Sequence, residues 1–198
     1  MQLGPRRRAG AADIAAASLF RTLLMIKPIL LLGDSRLCVP CREATRGDAD
    51  EIVRIAADLR DTLLAFRREH GVGRGIAAPQ IGAPVRVVYL DWPEPQVLVN
   101  PQLDRLSDET FELWDDCMCF PELLVRVRRH RSCRLRFRTP DWEPREMDLR
   151  DDLSELLQHE VDHLDGILAV ARAVDPQAFA LRRQLEATGQ LPRRYENR

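Results

Sequence analysis

Residues 158–166 read QHEVDHLDG, and within them His159, Glu160 and His163 form the pattern H-E-x-x-H. Four residues along an α-helix amount to about 40° of rotation, so two imidazoles at that spacing leave one face and can share a metal ion. Glu160 then stands beside the ion as a candidate general base. The pattern has this meaning only on a helix, and the neighbouring residues predict one from Asp151 to Gly166. Leu153, Leu157, Val161 and Leu164 gather on an arc about 140° from the histidines, which predicts a core stripe opposite a site stripe. A pair of solvated histidines is the ordinary alternative. Two imidazoles leave an ion short of ligands, so a carboxylate, imidazole or thiolate from elsewhere must complete the set.

The rest of the chain sets limits on what that site can serve. Its 198 residues are 45% hydrophobic and 31% charged, as expected of one globular domain with room for a core. Thirty basic and thirty-one acidic residues leave a net charge of −1, which gives no reason to invoke DNA or an anionic membrane. No run approaches the roughly 18–20 apolar residues that span a bilayer. Five cysteines, an odd number, fit reduced thiols and a cytoplasmic location. The first 24 residues join an arginine cluster, Arg6 to Arg8, to an alanine-rich stretch without core periodicity. They are expected to be a flexible extension; Asp13 argues against a secretory signal, an organelle transit peptide fits the composition, and translation from Met25 is a third option. The expected division is an extension at 1–24, a catalytic domain at 25–172, and a C-terminal helix and tail at 173–198.

Between these limits the periodicity changes twice. Asp48 as N-cap, with Glu51 as its capping-box partner, opens a helix carrying Ile52, Ile55, Leu59, Leu63 and Phe66, closed by His70 and Gly71. GVGRGIAAPQIG follows as a glycine-rich loop, and 85–90 and 96–103 read as short strands. Residues 123–138 alternate, with Val125 and Val127 and then Leu135 and Phe137 inward and arginines outward, as in half-buried antiparallel strands. That arginine face is expected to be solvated, the alternative being a surface for ribosomal RNA. A further helix is expected over 176–187. Cys38 and Cys41 form CVPC, which without a matching pair is read as two partly buried residues rather than half of a zinc or redox site.

Three segments, in this order, resemble the peptide deformylase family: GRGIAAPQ at 73–80 with its leading glycine counted, DDCMC at 115–119, and HEVDH at 159–163. GDSRL at 33–37 and VNP at 99–101 extend the resemblance over most of 25–172. It implies an α+β fold, antiparallel β-sheets around a central helix carrying HEVDH. It implies that Cys117, His159 and His163 bind one divalent metal, most commonly Fe(II), with Zn(II), Ni(II) or Co(II) able to substitute. Water would be the fourth ligand, and Glu160 the general acid/base in removing the formyl group from formyl-methionyl peptides, nascent chains among them, or a related N-formyl substrate. Gln80 and the backbone N–H of Met118 would meet the oxyanion. Gly73, Arg74 and Gly75 would lie along the substrate backbone, with Ala77 and Ala78 keeping the wall thin.

The departures from the family pattern carry their own expectations. Asp115 replaces glutamate and is expected to pair with Arg129. Asp116 replaces glycine beside the metal cysteine, adding negative charge near the ion, and Cys119 replaces serine. Asp152 and Glu155 lie on the histidine face, where related deformylases place apolar residues around the formyl-methionine side chain. They are read either as lining that pocket and favouring a polar or cationic side chain, or as solvated residues of the first helical turn. These changes keep a second reading open, a deformylase-like binding module with lost or redirected activity. Arg182 and Arg183 suggest a weak ribosome contact, and oligomeric state is not legible.

Overall fold

Alternation in 85–90 and 96–103 becomes two antiparallel strands, β2 (Val87–Asp91) and β3 (Pro95–Asp104), in register with Val88 opposite Leu98. In the computed structural model, which describes residues 25–191, these belong to a five-stranded antiparallel sheet in the order β1-β2-β3-β6-β7, with β1 at Gly75–Ala77, β6 at Ser132–Arg138 and β7 at Pro144–Arg150. A second sheet of three strands joins β4 (Thr110–Asp116), β5 (Leu123–His130) and β8 (Phe179–Leu181). Helix α1 (Ala49–His70) covers one side and α2 (Asp152–Leu164) runs between the sheets, packing against β1, β5 and β7. Helix α3 (Arg182–Ala187) ends the described chain. The expected extension at 1–24 lies outside the described residues.

The helix stripes pack as the periodicity requires. Ile52, Ile55, Leu59 and Leu63 of α1 are buried against Ile76, Val87 and Tyr89, while Leu157 and Leu164 of α2 join Val88, Leu98 and Leu135. On α2 every residue from Ser154 to Leu164 is buried, the histidine face included, which sets aside the alternative of solvated histidines. A helix held between two sheets has no solvated side, so its polar residues must be satisfied internally.

Three readings of local structure need correction. Asp48 does not cap α1 through its side chain; its carboxylate instead accepts from the Thr45 backbone N–H at 2.6 Å and pairs with Arg42, and Glu51 also goes to Arg42. The helix expected over 176–187 is a strand followed by a shorter helix, because β8 pairs with β5 from Leu181 opposite Leu123 to Phe179 opposite Val125. Propensity there yields to an available sheet edge. Arg129, within the supposedly outward arginine run, is 3% exposed. It shares parity with Val125 and Val127, and so points inward. Several other strand arginines are matched by carboxylates, Arg128 with Glu112, Arg134 with Asp148, and Arg136 with Asp104, while Arg138 donates to the Trp142 carbonyl at 3.0 Å. Cys38 is exposed and Cys41 is packed in the core, and neither is in a disulfide.

Candidate metal and active site

Three potential ligands arrive from two elements. Helix α2 carries His159 and His163, and Cys117 follows directly after β4, whose pairing with β5 brings Asp116 opposite Leu124. His163 Nε2 lies 3.3 Å from Cys117 Sγ and 3.2 Å from His159 Nε2, and the three ligand atoms fall within 4.8 Å of one another. All three residues are buried. Two ring nitrogens and a sulfur turned toward one point, with little water to separate them, repel unless a proton or a cation lies among them. One thiolate and two imidazoles are donors suited to a divalent transition ion, so these residues fit the metal that the sequence implies.

Around the ligands runs a chain of buried charge. His159 Nδ1 lies 3.1 Å from the Asp115 carboxylate, which directs the N–H there and leaves Nε2 as the ligand atom. Asp115 also accepts from Arg129 at 3.0 Å, Arg129 reaches Asp162 at 2.5 Å, and Asp162 accepts from Arg172 at 2.7 Å. The expected Asp115–Arg129 pair is therefore present, extended by two residues that the sequence reading did not single out. Burial would raise the Asp115 carboxyl, but His159 and Arg129 outweigh it and hold it well below the usual carboxylate range. Burial would likewise depress His159, yet the Asp115 charge prevails and lifts the imidazole to about 9 before any ion binds.

Glu160 is the neighbouring acid, 3% exposed, with Oε2 buried and without a hydrogen-bond partner among the described residues. Burial raises its carboxyl to about 7. Gly75 makes room for it: a Cβ there would come within 3.0 Å of Glu160 Oε1 and 3.0 Å of Leu90 Cδ2. This glycine thus admits the acid itself, besides any substrate. Gln80, in the 3₁₀ turn Ala78–Ile81, accepts from the Ala77 backbone N–H at 2.8 Å, which leaves its amide nitrogen facing Cys119 Sγ at 3.6 Å and Cys117 Sγ at 3.9 Å.

A cavity joins these groups, lined by Gly73, Arg74 and Gly75 on one side and by Asp116, Met118, Glu155 and Arg182 among others. Ala77 and Ala78 are fully buried in the core and form no part of that lining, contrary to the thin-wall reading. Glu155 faces the cavity, whereas Asp152, one turn earlier, does not line it and offers its backbone carbonyl to Arg74 at 3.4 Å. Glu155 is not solvated: it is 2% exposed and forms a short ion pair with Arg74. Asp116 is also matched, accepting from Arg182 at 2.7 Å, so its charge is neutralised beside Cys117. Neither ion pair was anticipated, since the partners are 81 and 66 residues apart.

The family model for polypeptide deformylase matches residues 26–179. The chain belongs to the peptide deformylase family. A curated peptide deformylase of Pseudothermotoga lettingae is 32% identical over 161 residues, covering 81% of this chain and 91% of the relative. Among solved structures, the peptide deformylase of Synechococcus elongatus in complex with actinonin superposes with a TM-score of 0.71 at 26% identity, covering 82% of this chain and 86% of that one. A Met-Ala-Ser-bound class I type b deformylase of Acinetobacter baumannii gives 0.69 at 27% identity, covering 76% and 99%. The α+β arrangement of antiparallel sheets around the histidine helix is thus the deformylase fold, and the chain is a metal-dependent hydrolase. No helix among the described residues is long and apolar enough to cross a membrane.

Proposed function

We propose that this deformylase hydrolyses the N-terminal formamide of peptides, nascent chains included, with Cys117, His159 and His163 holding the metal and Glu160 moving the proton. The observation that carries the assignment is the convergence of three buried potential ligand atoms beside a buried carboxylate oxygen that has no hydrogen-bond partner among the described residues. A divalent ion held there supplies Lewis acidity and lowers the pKa of water into the neutral range. Glu160 takes the proton from the attacking water at its unpartnered oxygen, and a carboxyl raised to about 7 can both accept and return it near neutral pH. The formyl C–N bond then breaks, formate keeps the new C–O bond, and Glu160 gives its proton to the departing amine. Gln80 Nε2, fixed through its oxygen to Ala77, and the Met118 backbone N–H stabilise the negative charge that grows on the formyl oxygen. The Gly73–Gly75 segment offers main-chain groups along an extended peptide.

Fe(II) is the ion we infer, from the family resemblance; Zn(II), Ni(II) and Co(II) suit the same donors. The cytoplasm is the inferred site of action, in keeping with five cysteines outside any disulfide. A weak ribosome contact through α3 would rest on Arg183, which is exposed, because Arg182 is engaged by Asp116. The binding-module reading is not favoured, as the acid, the ligands and the oxyanion amide all remain in one cavity. The test is formate release from formyl-Met-Ala-Ser and related formyl-peptides by anaerobically Fe(II)-loaded protein. Release that survives Glu160→Gln unchanged would remove Glu160 from the mechanism.

A further inference from the structure

We propose that Cys119 is a resolving thiol for Cys117, and that hydrogen peroxide joins the two in a reversible disulfide that takes Cys117 out of the metal ligand set. The loss of metal rests on the reading of Cys117 as a ligand given above; the bridge itself does not.

A turn sets the position. Strand β4 ends at Asp116, and the Phe120 backbone N–H donates to the Cys117 carbonyl at 3.0 Å, so residues 117–120 fold back as a β-turn. The first and third residues of such a turn have Cα atoms inside the roughly 4.4–6.8 Å that a disulfide spans. Both sulfurs also lie against the same groups. Gln80 Nε2 is 3.9 Å from Cys117 Sγ and 3.6 Å from Cys119 Sγ, and the Cys119 backbone N–H donates to Cys117 Sγ at 3.4 Å. The remaining thiols are elsewhere: Cys41 and Cys133 pack with Leu157 and Leu164 in another part of the core, and Cys38 is exposed.

Access orders the chemistry. Cys117 lines the cavity, whereas Cys119 does not and is 1% exposed, so peroxide entering the cavity meets Cys117 first. Written for the thiol forms, the Cys117 sulfur gives two electrons to peroxide: an S–O bond forms, the O–O bond breaks and one water leaves, giving a sulfenic acid. The Cys119 sulfur then attacks the Cys117 sulfur. An S–S bond forms as the S–O bond breaks, and a second water carries off the oxygen. Two thiols and one peroxide thus become one disulfide and two waters. The serine that the family pattern places at 119 has no sulfur for the second step, and a sulfenic acid beside it would await further peroxide. A disulfide sulfur carries no thiolate charge, so a cation in this site would keep only the two imidazoles.

The experiment treats full-length protein loaded with Zn(II), an ion without redox chemistry of its own, with increasing equivalents of hydrogen peroxide. Expected are a mass lower by about 2 Da, the loss of two titratable thiols, a bridge mapped within the peptide that holds Cys117 and Cys119, and release of zinc to a chromogenic chelator. Dithiothreitol followed by fresh zinc should restore all four. In Cys119→Ser the reversal is expected to be lost: Cys117 goes on to the sulfinic and sulfonic acids, about 32 and 48 Da heavier, and dithiothreitol recovers no zinc binding. Wild-type protein that shows those heavier forms at Cys117 while Cys119 stays free overturns the proposal. So does a bridge from Cys117 to Cys38, Cys41 or Cys133, or a Cys119→Ser protein that recovers as wild type does. Zinc content before peroxide tests the ligand reading separately: zinc held equally well by Cys117→Ala sinks that reading, while the mass loss still supports the bridge. Zinc held through Cys117, followed by oxidation past the disulfide, does the reverse. Mapping of the wild-type protein decides the bridge whether or not either variant folds.

Discussion

Replacing Arg129 with methionine removes the guanidinium that joins Asp115 to Asp162 and leaves a side chain of similar length. Arg129 is 3% exposed, and its contacts at 3.0 Å and 2.5 Å are with carboxylates that are themselves buried. Breaking a buried ion pair from one side costs roughly 3–5 kcal/mol, because the other charge stays in low dielectric without its partner. Here each acid keeps a second partner, Asp115 the imidazole of His159 and Asp162 the guanidinium of Arg172 at 2.7 Å. The lower end, about 3 kcal/mol, is therefore expected. That is a large part of the roughly 5–15 kcal/mol by which a domain is stable. Asp115 would also hold His159 less firmly, and loss of support of this kind weakens metal binding by about 10–100-fold. Urea unfolding of the metal-free protein gives the first quantity and competition with a chelator the second. A loss below about 1 kcal/mol with unchanged metal affinity would refute the assignment of Arg129 as the hub of this network.

Four further outcomes follow from the same contacts. Asp115→Asn is expected to lower metal affinity by about 10–100-fold, read by chelator competition, while leaving the fold intact; unchanged affinity would mean that Asp115 does not orient His159. Glu160→Gln should reduce kcat by about 10²–10⁴ with metal content unchanged by elemental analysis, a combination that a purely structural role would not produce. Gly166→Ala should destabilise by at least about 1–3 kcal/mol in thermal unfolding, because Gly166 has φ +73° and a Cβ would sit 2.8 Å from the Cys38 backbone carbon. Finally, His159 titrates at about 9 in the metal-free fold against an ordinary 6.5, so its stabilising contribution is complete below 6.5 and is lost as pH rises toward 9. His163 is driven below its ordinary value by burial, so its own contribution rises with pH and levels off above the ordinary 6.5. Metal binding needs deprotonated ligands and strengthens with pH, so the melting temperatures of loaded and metal-free protein should diverge between pH 6.5 and 9. A metal-free midpoint that rises over this range would contradict the pairing.

Local pattern and remote pairing divide what could be read in advance. The α2 stripe and HEVDH are legible because the helical period and the ligand spacing lie in one short segment. The pairing of Arg129 with Asp115 follows from the family resemblance, and its inward parity with Val125 and Val127 sets it apart from the solvated arginines around it. Cys117 has no local signature and was reached only through family resemblance. Asp162 sits inside the HEVDH motif, yet its partners Arg129 and Arg172 are set by how β5 and the following segment pack, which spacing does not encode. The pairs Arg74–Glu155 and Asp116–Arg182 close across more than sixty residues, and each turned an apparent liability of charge in the cavity into a matched contact. The strand at Phe179–Leu181 was hidden because its alanine- and leucine-containing sequence favours helix until the free edge of β5 is present.

The docking of β8 onto β5, with Arg182 reaching Asp116, ties the cavity wall beside Cys117 to a segment more than sixty residues further along the chain. Cleavage that removed β8 and α3 would leave Cys117, His159 and His163 in place and strip Asp116 of its counter-charge.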